Sequence, residues 1–437
     1  MKRSSPPLSS RLPRGGRLED ASTPANFPTL LGVYLAVNAI RDAYILVDGP
    51  DCTLYKAHFI HGRHDLNSTL LSITGRHRVL FTNVCSRGVV KEHDAVLKRH
   101  LLTLDGLEES GLLLVTALPM CSITGVDYGR VIRSLKGKLS KPAVDIPPDS
   151  LAGDWLDGYG QALASLARGL GASKGRGRKD RVALVGYLMD RNEADHLANL
   201  AELRRMLGAL KLDLVSVWLD GGPASALKAV EEAEVIVSLP HGRAAARRLA
   251  EATGAGLVET RLPFGLPSTS AFLREVGSAT GRKAEAEAFI EEELSRIIPR
   301  LKWIVPHLFL GRKAAFMGDP HLLDGFLDIA EDLGLEVEGA IVRGRRAHGG
   351  GREGIAVLHE PPVSSSEVER LMRAPKDLFV TCWCEREWPR LAGRVMEFGF
   401  PSYRHHALYE RPFLGFNGFL GFVERMADAL SESDRGP

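Results

Sequence analysis

The sequence predicts an α/β protein made of three doubly wound, Rossmann-like domains with parallel sheets. Short apolar strands alternate with helical segments of about ten residues or more, a pattern typical of a parallel sheet covered by helices. The chain has 437 residues, which is too many for one ordinary hydrophobic core, so two or three domains are expected. A stretch rich in Gly, Lys and Arg at residues 170–180 marks one boundary.

Composition is that of a soluble globular protein and excludes several functional classes. Hydrophobic residues make up 44% and charged residues 25% of the chain, and the formal net charge of +2 is too small to indicate a nucleic-acid or acidic-membrane partner. No apolar run reaches the roughly 18–20 residues of a membrane span, and no apolar signal core follows the basic N-terminus. The chain has five cysteines, an odd number, and its sequence does not indicate a signal peptide, so the cysteines do not indicate a set of disulfides. We therefore expect a cytoplasmic protein whose thiols are free or bind metal.

Four regions are expected along the chain. They are a disordered, Ser/Pro/Arg-rich tail at 1–25, a first α/β domain at 26–175, a second domain at 176–305, and a third at 306–437 whose C-terminal helix returns to the first.

In the first domain, the helix predicted at 29–40 carries Gly32 and Ala36, which allow close packing. A second, amphipathic helix is expected at 89–101, and Ser122 or Thr124 is expected to start another. Apolar strands are predicted at 44–47, 78–82 and 112–116.

The later domains continue the alternation of strand and helix. Strands are predicted at 181–186, 214–217, 235–239, 256–259, 313–317, 336–341 and 377–380. Helices are predicted at 194–210, 224–233, 244–253, 268–293 and 320–333, with one ending at 393–399 and a last one reaching residue 430.

Three cysteines, Cys52, Cys85 and Cys121, each stand just past an apolar strand. If those strands share one parallel sheet, their carboxyl ends bring the three thiols to one rim. Thiols held at a rigid rim suit a soft metal or an iron–sulfur site.

Three other groups of residues have a functional and a structural interpretation. His58, His61 and His64 can bind zinc, but a polar loop lining a cleft is favoured because no second ligand pair stands at a usual spacing. The basic, glycine-rich loop at 343–352 can contact phosphate, but a flexible surface loop is favoured. Cys382 and Cys384 can form a two-thiol metal site, but a structural role is favoured.

Nucleotide-binding motifs are absent from the sequence. The nearest approach to a Walker motif, Lys136-Gly137-Lys138-Leu139, lacks the hydroxyl that binds magnesium, and no Gly-x-Gly-x-x-Gly follows a strand at the start of a domain.

Six segments, in this order, resemble motifs of the nitrogenase component 1 type oxidoreductases. That family includes nitrogenase subunits, cofactor-assembly scaffolds and dark-operative reductases of tetrapyrroles, and the resemblance covers about residues 26–430. The segments are Asp48–Cys52, Thr116–Asp127, Val182–Gly186, Leu262–Thr269, Ala314–Pro320 and Pro412–Phe419.

The resemblance implies an iron–sulfur cluster, of the 4Fe-4S type, at the interface with a related second subunit or a second copy. By position, Cys52 and Cys121 are cluster ligands. Cys85 either replaces a family cysteine missing ahead of Cys52 or is a buried structural thiol. A further alternative is an oxygen ligand from Asp51 or from a partner. The resemblance further implies an ATP-hydrolysing iron protein as the electron donor, which agrees with the missing Walker motif.

The resemblance also implies a central cavity between the three domains. His241 stands where nitrogenase has a cysteine that holds its metal cofactor, so nitrogen fixation is not expected. His405 is the nearest match to the histidine that completes that site, and acts either as a substrate contact or proton donor or as a satisfied polar residue.

The function expected from the resemblance is that of an oxidoreductase subunit. It would pass electrons to a substrate in the cavity, where an additional metallocofactor or a tetrapyrrole could bind. The alternatives are a scaffold or carrier for metallocluster or tetrapyrrole assembly, or a solute-binding protein built from similar domains.

Overall fold

The computed structural model describes residues 27–72, 75–84, 93–122, 125–148, 153–175, 177–359, 371, 375–382 and 393–431. Within these ranges, three sheets of four or five strands follow one another along the chain, and all their strand pairings are parallel. The predicted α/β class with three doubly wound units is therefore confirmed. The expected tail at 1–25, Cys85 and Cys384 lie outside the described residues.

The first sheet has the strand order β2-β1-β3-β4, so the two fully buried strands β1 and β3 lie side by side at its centre. Its strands are β1 (Ala43–Asp48), β2 (Val79–Phe81), β3 (Leu112–Ala117) and β4 (Ala143–Asp145). Its helices are α1 (Thr29–Asn38), α2 (Leu54–Ile60), α3 (His93–Asp105), α4 (Pro119–Ser122), α5 (Tyr128–Ser134) and α6 (Trp155–Gly169).

Helix α1 is buried along its whole length and packs against α6 through a reciprocal glycine contact. A Cβ at Gly32 would stand 1.7 Å from the Trp155 carbonyl oxygen, and a Cβ at Gly158 would stand 1.9 Å from that of Thr29. The two backbones touch at these points, so the predicted close packing at Gly32 is confirmed.

The helix expected to start at Ser122 or Thr124 starts elsewhere. Ser122 ends the short helix α4, and Thr124 lies outside the described residues. Helix α5 begins at Tyr128 because the Asp127 carboxylate accepts a 2.7 Å hydrogen bond from the Arg130 backbone nitrogen and caps it.

The second sheet has the order β6-β5-β7-β8. Its strands are β5 (Arg178–Val185), β6 (Asp213–Val217), β7 (Ala233–Ser238) and β8 (Gly256–Glu259), and its helices are α7 (Ala194–Ala209), α8 (Arg243–Thr253), α9 (Leu266–Ala279) and α10 (Lys283–Leu308). The segment expected to be helical at 224–233 is the 3₁₀ helix Ala224–Glu232. The single helix expected at 268–293 is interrupted between α9 and α10, where Gly281 adopts a left-handed φ of 69°.

The third sheet has the order β11-β10-β9-β12-β13. Its strands are β9 (Lys313–Gly318), β10 (Glu336–Val342), β11 (Ala356–His359), β12 (Leu378–Thr381) and β13 (Val395–Glu397), and its helices are α11 (Pro320–Leu333) and, after the sheet, α12 (Gly415–Ser431). The prediction of a helix that ends at 393–399 is wrong. This segment forms β13 instead, because it pairs with the otherwise open edge of β12.

Helix α12 connects the second and third domains. It packs chiefly on α7, α9 and α10 of the second domain and on β12 and β13 of the third. The expected return of this helix to the first domain is not among these main contacts. No helix among the described residues is both long enough and apolar enough to cross a membrane.

Candidate functional site

Cys52 and Cys121 lie at the carboxyl edge of the first sheet, after neighbouring strands. Cys52 belongs to the 3₁₀ turn Asp51–Thr53 that follows β1, and Cys121 belongs to α4, which follows β3. The two strands are in register up to Asp48, which pairs with Ala117. The Cys52 side chain is exposed, whereas Cys121 is buried.

The turn that carries Cys52 is fixed by Gly49. Its φ of 135° is rare for residues with a side chain, and an added Cβ would stand 2.8 Å from the Leu118 side chain. The Gly49 nitrogen donates a 2.9 Å hydrogen bond to the Thr82 hydroxyl, and the Asp51 nitrogen donates a 3.1 Å bond to the Asn83 side chain. The ends of β1 and β2 are thereby tied together, as the rim hypothesis requires.

Asp48 is a fully buried carboxylate directly behind this edge. It accepts a 2.8 Å hydrogen bond from Thr82 and a 2.7 Å bond from Tyr128, and His93 Nε2 lies 2.7 Å from it. Burial, then the charges of Asp48 and Cys52, raise the pKa of the Cys121 thiol. A thiolate at Cys121 therefore needs a nearby positive charge, which a bound metal would supply.

These donors fit an iron–sulfur cluster in chemistry and position, but not in number. A cluster of this kind is held by four thiolates, and the described part of this edge supplies Cys52 and Cys121. Cys85 lies outside the described residues, and Cys382 is buried in the third domain. The remaining ligands would have to come from Cys85 or from another chain.

A second candidate site is a cavity at the carboxyl ends of strands in the second and third sheets. The sequence led us to expect a cavity between all three domains, but the described residues that line it all lie beyond residue 186, in the second and third domains. They are Tyr187, Leu188, Asp190, Arg191, Asp195, His196, His241, Leu262, Asp319, Leu322, Phe398, Gly399, Ser402, His405, Phe413, Leu414 and Arg425.

His241 lies in this cavity wall, in a turn directly after β7. The turn presses on the end of β5, where a Cβ at Gly186 would stand 2.4 Å from the Gly242 nitrogen. His241 Nε2 lies 2.8 Å from Asp319 Oδ2, and the His241 and His321 rings meet edge to face at 4.9 Å. Burial alone would raise the pKa of Asp319, but His241 and then His321 lower it to about 2.

His405 lies on the opposite wall, between two arginines. Its carbonyl accepts a 3.0 Å hydrogen bond from Arg191 Nη1 and a 2.9 Å bond from the Ser402 hydroxyl. Burial, then Arg425 and Arg191, lower the pKa of His405 to about 4, so its imidazole is neutral near pH 7. An adjoining hollow shares His405 and Arg425 with the cavity.

Sequence reasoning missed a buried polar chain in the cavity wall. The Tyr187 hydroxyl lies 2.6 Å from His196 Nδ1, and His196 Nε2 lies 2.6 Å from Asp190. His64 Nε2 lies 3.6 Å from the other Asp190 oxygen, which joins the first domain to the second. The sequence indicates this polar chain only through Tyr187 and Asp190, which closely follow β5.

The two other groups weighed from the sequence have structural roles in the described residues. His58 lies in α2 and His64 is buried beside Asp190, so these histidines do not form a metal-ligand group there. In the loop at 343–352, Arg343 is buried, its carbonyl accepts a 2.8 Å hydrogen bond from Trp155, and Arg345 pairs with Asp157. That loop is therefore anchored to the first domain.

Comparison with known proteins agrees with this architecture. Residues 28–431 match the family described as nitrogenase component 1 type oxidoreductase. The chain is 26% identical to a nitrogenase molybdenum-iron protein beta chain of Clostridium pasteurianum over 39% of each chain. It is 21% identical to that of Rippkaea orientalis over 75% of this chain and 69% of the relative. A solved structure of nitrogenase Cp1 at pH 6.5 superposes with a TM-score of 0.77 at 17% identity, covering 94% of this chain and 93% of that one.

Proposed function

Because the chain belongs to the nitrogenase component 1 type oxidoreductases, we propose that it is a redox subunit of that kind, working in a reducing cytoplasm. In this proposal it shares an iron–sulfur cluster with a related subunit or a second copy. An ATP-hydrolysing iron protein supplies the electrons, and the substrate binds in the cavity between the second and third domains. The observation that carries the proposal is the placement of Cys52 and Cys121 after neighbouring strands.

The cysteine edge supports sharing of the cluster between chains. Cys52 is exposed on a turn at the protein surface, while Cys121 lies buried beneath it. A partner chain can therefore reach the edge and complete the ligand set. When bound, the cluster would supply one-electron transfer.

The cavity residues support binding of a polar substrate. The Arg425 guanidinium lies in the cavity wall beside His405, whose imidazole is neutral near pH 7, while Arg191 pairs with Asp195 in the same wall. A neutral imidazole can donate one hydrogen bond and accept another, which suits orienting a substrate. Leu262, Leu322 and Phe398 provide an apolar surface that excludes water from the same space.

Anaerobic purification of the full chain with its native partner subunit tests the proposal. We expect bound iron and sulfide and a paramagnetic resonance signal after one-electron reduction or oxidation. The Cys52→Ser and Cys121→Ser variants should lose the iron. Cys382→Ser, which removes a buried thiol of the third domain, is the matched control and should keep it. A folded complex without iron would refute the cluster.

Turnover is tested separately, with the iron protein, ATP and a low-potential reductant. We expect a reduced product that requires all three, with tetrapyrroles as the first substrates to test. A complex that holds the cluster but turns over no reducible compound would leave assembly or carriage of a cofactor as its role.

A further inference from the structure

A second group of metal-binding side chains lies far along the chain from the cysteine edge. His241, Asp319 and His321 each offer one ligand atom, and these three atoms all lie within 4.8 Å of one another. His241 follows β7 of the second sheet, whereas Asp319 caps α11 of the third domain and His321 lies in the first turn of that helix. The group therefore bridges the two domains whose strand ends form the cavity.

The separation between the donors matches that of two ligands on one metal ion. His241 Nε2 and Asp319 Oδ2 lie 2.8 Å apart. With metal–ligand bonds of about 2.0–2.2 Å, neighbouring ligands on one ion stand about 3 Å apart. An ion can replace the shared proton with little movement of the carboxylate or the imidazole.

The three side chains are held in position by the surrounding structure. Asp319 Oδ1 accepts a 2.6 Å hydrogen bond from the His321 backbone nitrogen at the start of α11, which leaves Oδ2 directed at His241. The Tyr159 ring packs against the His241 imidazole in an edge-to-face arrangement, with 6.5 Å between the ring centroids. Such outer contacts orient ligands in metal sites.

An independent observation points to a ligand. His241 is 93% buried, and its Nδ1 atom has no hydrogen-bond partner among the described residues. A buried ring nitrogen without a partner is costly unless a bound ligand satisfies it.

We propose that His241, Asp319 and His321 form a mononuclear site for a divalent first-row transition-metal ion, such as Zn²⁺ or Fe²⁺. Two imidazoles and one carboxylate form a donor set that such ions accept while positions on the ion stay open. His241 and Asp319 both line the cavity, so an open position faces the proposed substrate space. The proposed site contains no cysteine, so it can be tested independently of the iron–sulfur cluster.

Cobalt(II) titration of the full chain tests the site. The protein used carries Cys52→Ser and Cys121→Ser and is first treated with a chelator. Binding of Co²⁺ is then measured by absorption spectroscopy and calorimetry. We expect one equivalent of Co²⁺ with ligand-field bands and without the intense sulfur-to-cobalt charge-transfer band of thiolate ligands. Asp319→Asn and His321→Gln should each weaken binding at least about tenfold. His307→Gln, at an exposed histidine of α10, is the matched control and should bind as the parent does.

The substitutions are chosen to preserve the fold. Asn at 319 still caps α11, and the His321 side chain is only partly buried, so both variants should fold. Thermal unfolding checks this, and we expect the larger loss of stability for Asp319→Asn, whose buried carboxylate contacts His241. Failure to bind one equivalent, unchanged affinity in both variants, or a thiolate-type spectrum would each overturn the site.

Discussion

The Tyr128 hydroxyl donates a 2.7 Å hydrogen bond to the buried carboxylate of Asp48. Asp48 ends β1, and Tyr128 begins the helix that follows the Cys121 segment. The bond therefore links the segment that carries Cys121 to the strand that leads to Cys52. Both sides of the cysteine edge depend on one carboxylate.

Removing this bond should destabilise the first domain. Tyr128→Phe deletes one buried hydrogen bond and should cost about 1 kcal/mol, and Asp48→Asn, which disturbs three contacts, should cost about 1–3 kcal/mol. Urea unfolding measures both. Tyr55→Phe, at an exposed tyrosine, should change little. Equal effects of the two tyrosine substitutions would contradict the importance of the Asp48 bond.

Alkylation of the metal-free protein should separate the thiols by exposure. Iodoacetamide should modify Cys52 in the native state, while Cys121 and Cys382 should react only after denaturation, because both are buried. Mass spectrometry of the peptides gives the order. Native modification of Cys121 at the rate of Cys52 would mean that this edge is open.

Glycine substitutions should distinguish the helix contact from ordinary helical positions. Gly32→Ala forces a methyl group onto the Trp155 carbonyl and should cost about 3 kcal/mol or more. Gly208→Ala, in α7 with open space around it, should stabilise the protein by up to about 1 kcal/mol. Thermal unfolding compares them, and a mild effect at Gly32 would show that α1 and α6 can separate without loss.

Two half-buried histidines should weaken the metal-free fold in acid. Burial, then nearby positive groups, lower the pKa values of His321 and His405 to about 4. Between about pH 6.5 and 4 the unfolded chain binds protons that the folded chain refuses, so the free energy of unfolding falls as the pH falls. His321→Gln should flatten this decline in urea unfolding, whereas His307→Gln at the exposed position should not. A parallel decline in both variants would assign it to other groups.

The low pKa of His405 should depend in part on Arg425. Arg425 is second only to burial in lowering it, so Arg425→Gln should raise the His405 pKa toward 6.5. Histidine ring signals followed by NMR against pH measure the change. Arg312→Gln, at an exposed arginine that precedes β9 and does not line the cavity, serves as the control and should leave the value unchanged.

Strands and helix ends with a local cause could be predicted from the sequence. Leu112–Ala117 is a continuous apolar run, and Gly254 and Gly334 end their helices with left-handed φ values of 77° and 70°. The strand at Val395–Glu397 could not, because it forms by pairing with β12. Its short run carries no pattern of its own.

The same difference separates the two candidate sites. The cysteine edge follows from two neighbouring strands of one sheet, so the motifs around Cys52 and Cys121 could indicate it. The contact of His241 with Asp319 joins residues 78 positions apart in different sheets. No spacing in the sequence encodes that distance, although both residues follow strands.

Helix α12 has a consequence for how the protein is made. It follows all three sheets in the chain, yet it carries Arg425 and packs on both the second and third domains. During synthesis the sheets can therefore form while the cavity still lacks a wall. Binding of a substrate or partner that needs this wall has to wait until Ser431 has left the ribosome, so that assembly follows translation of the whole core.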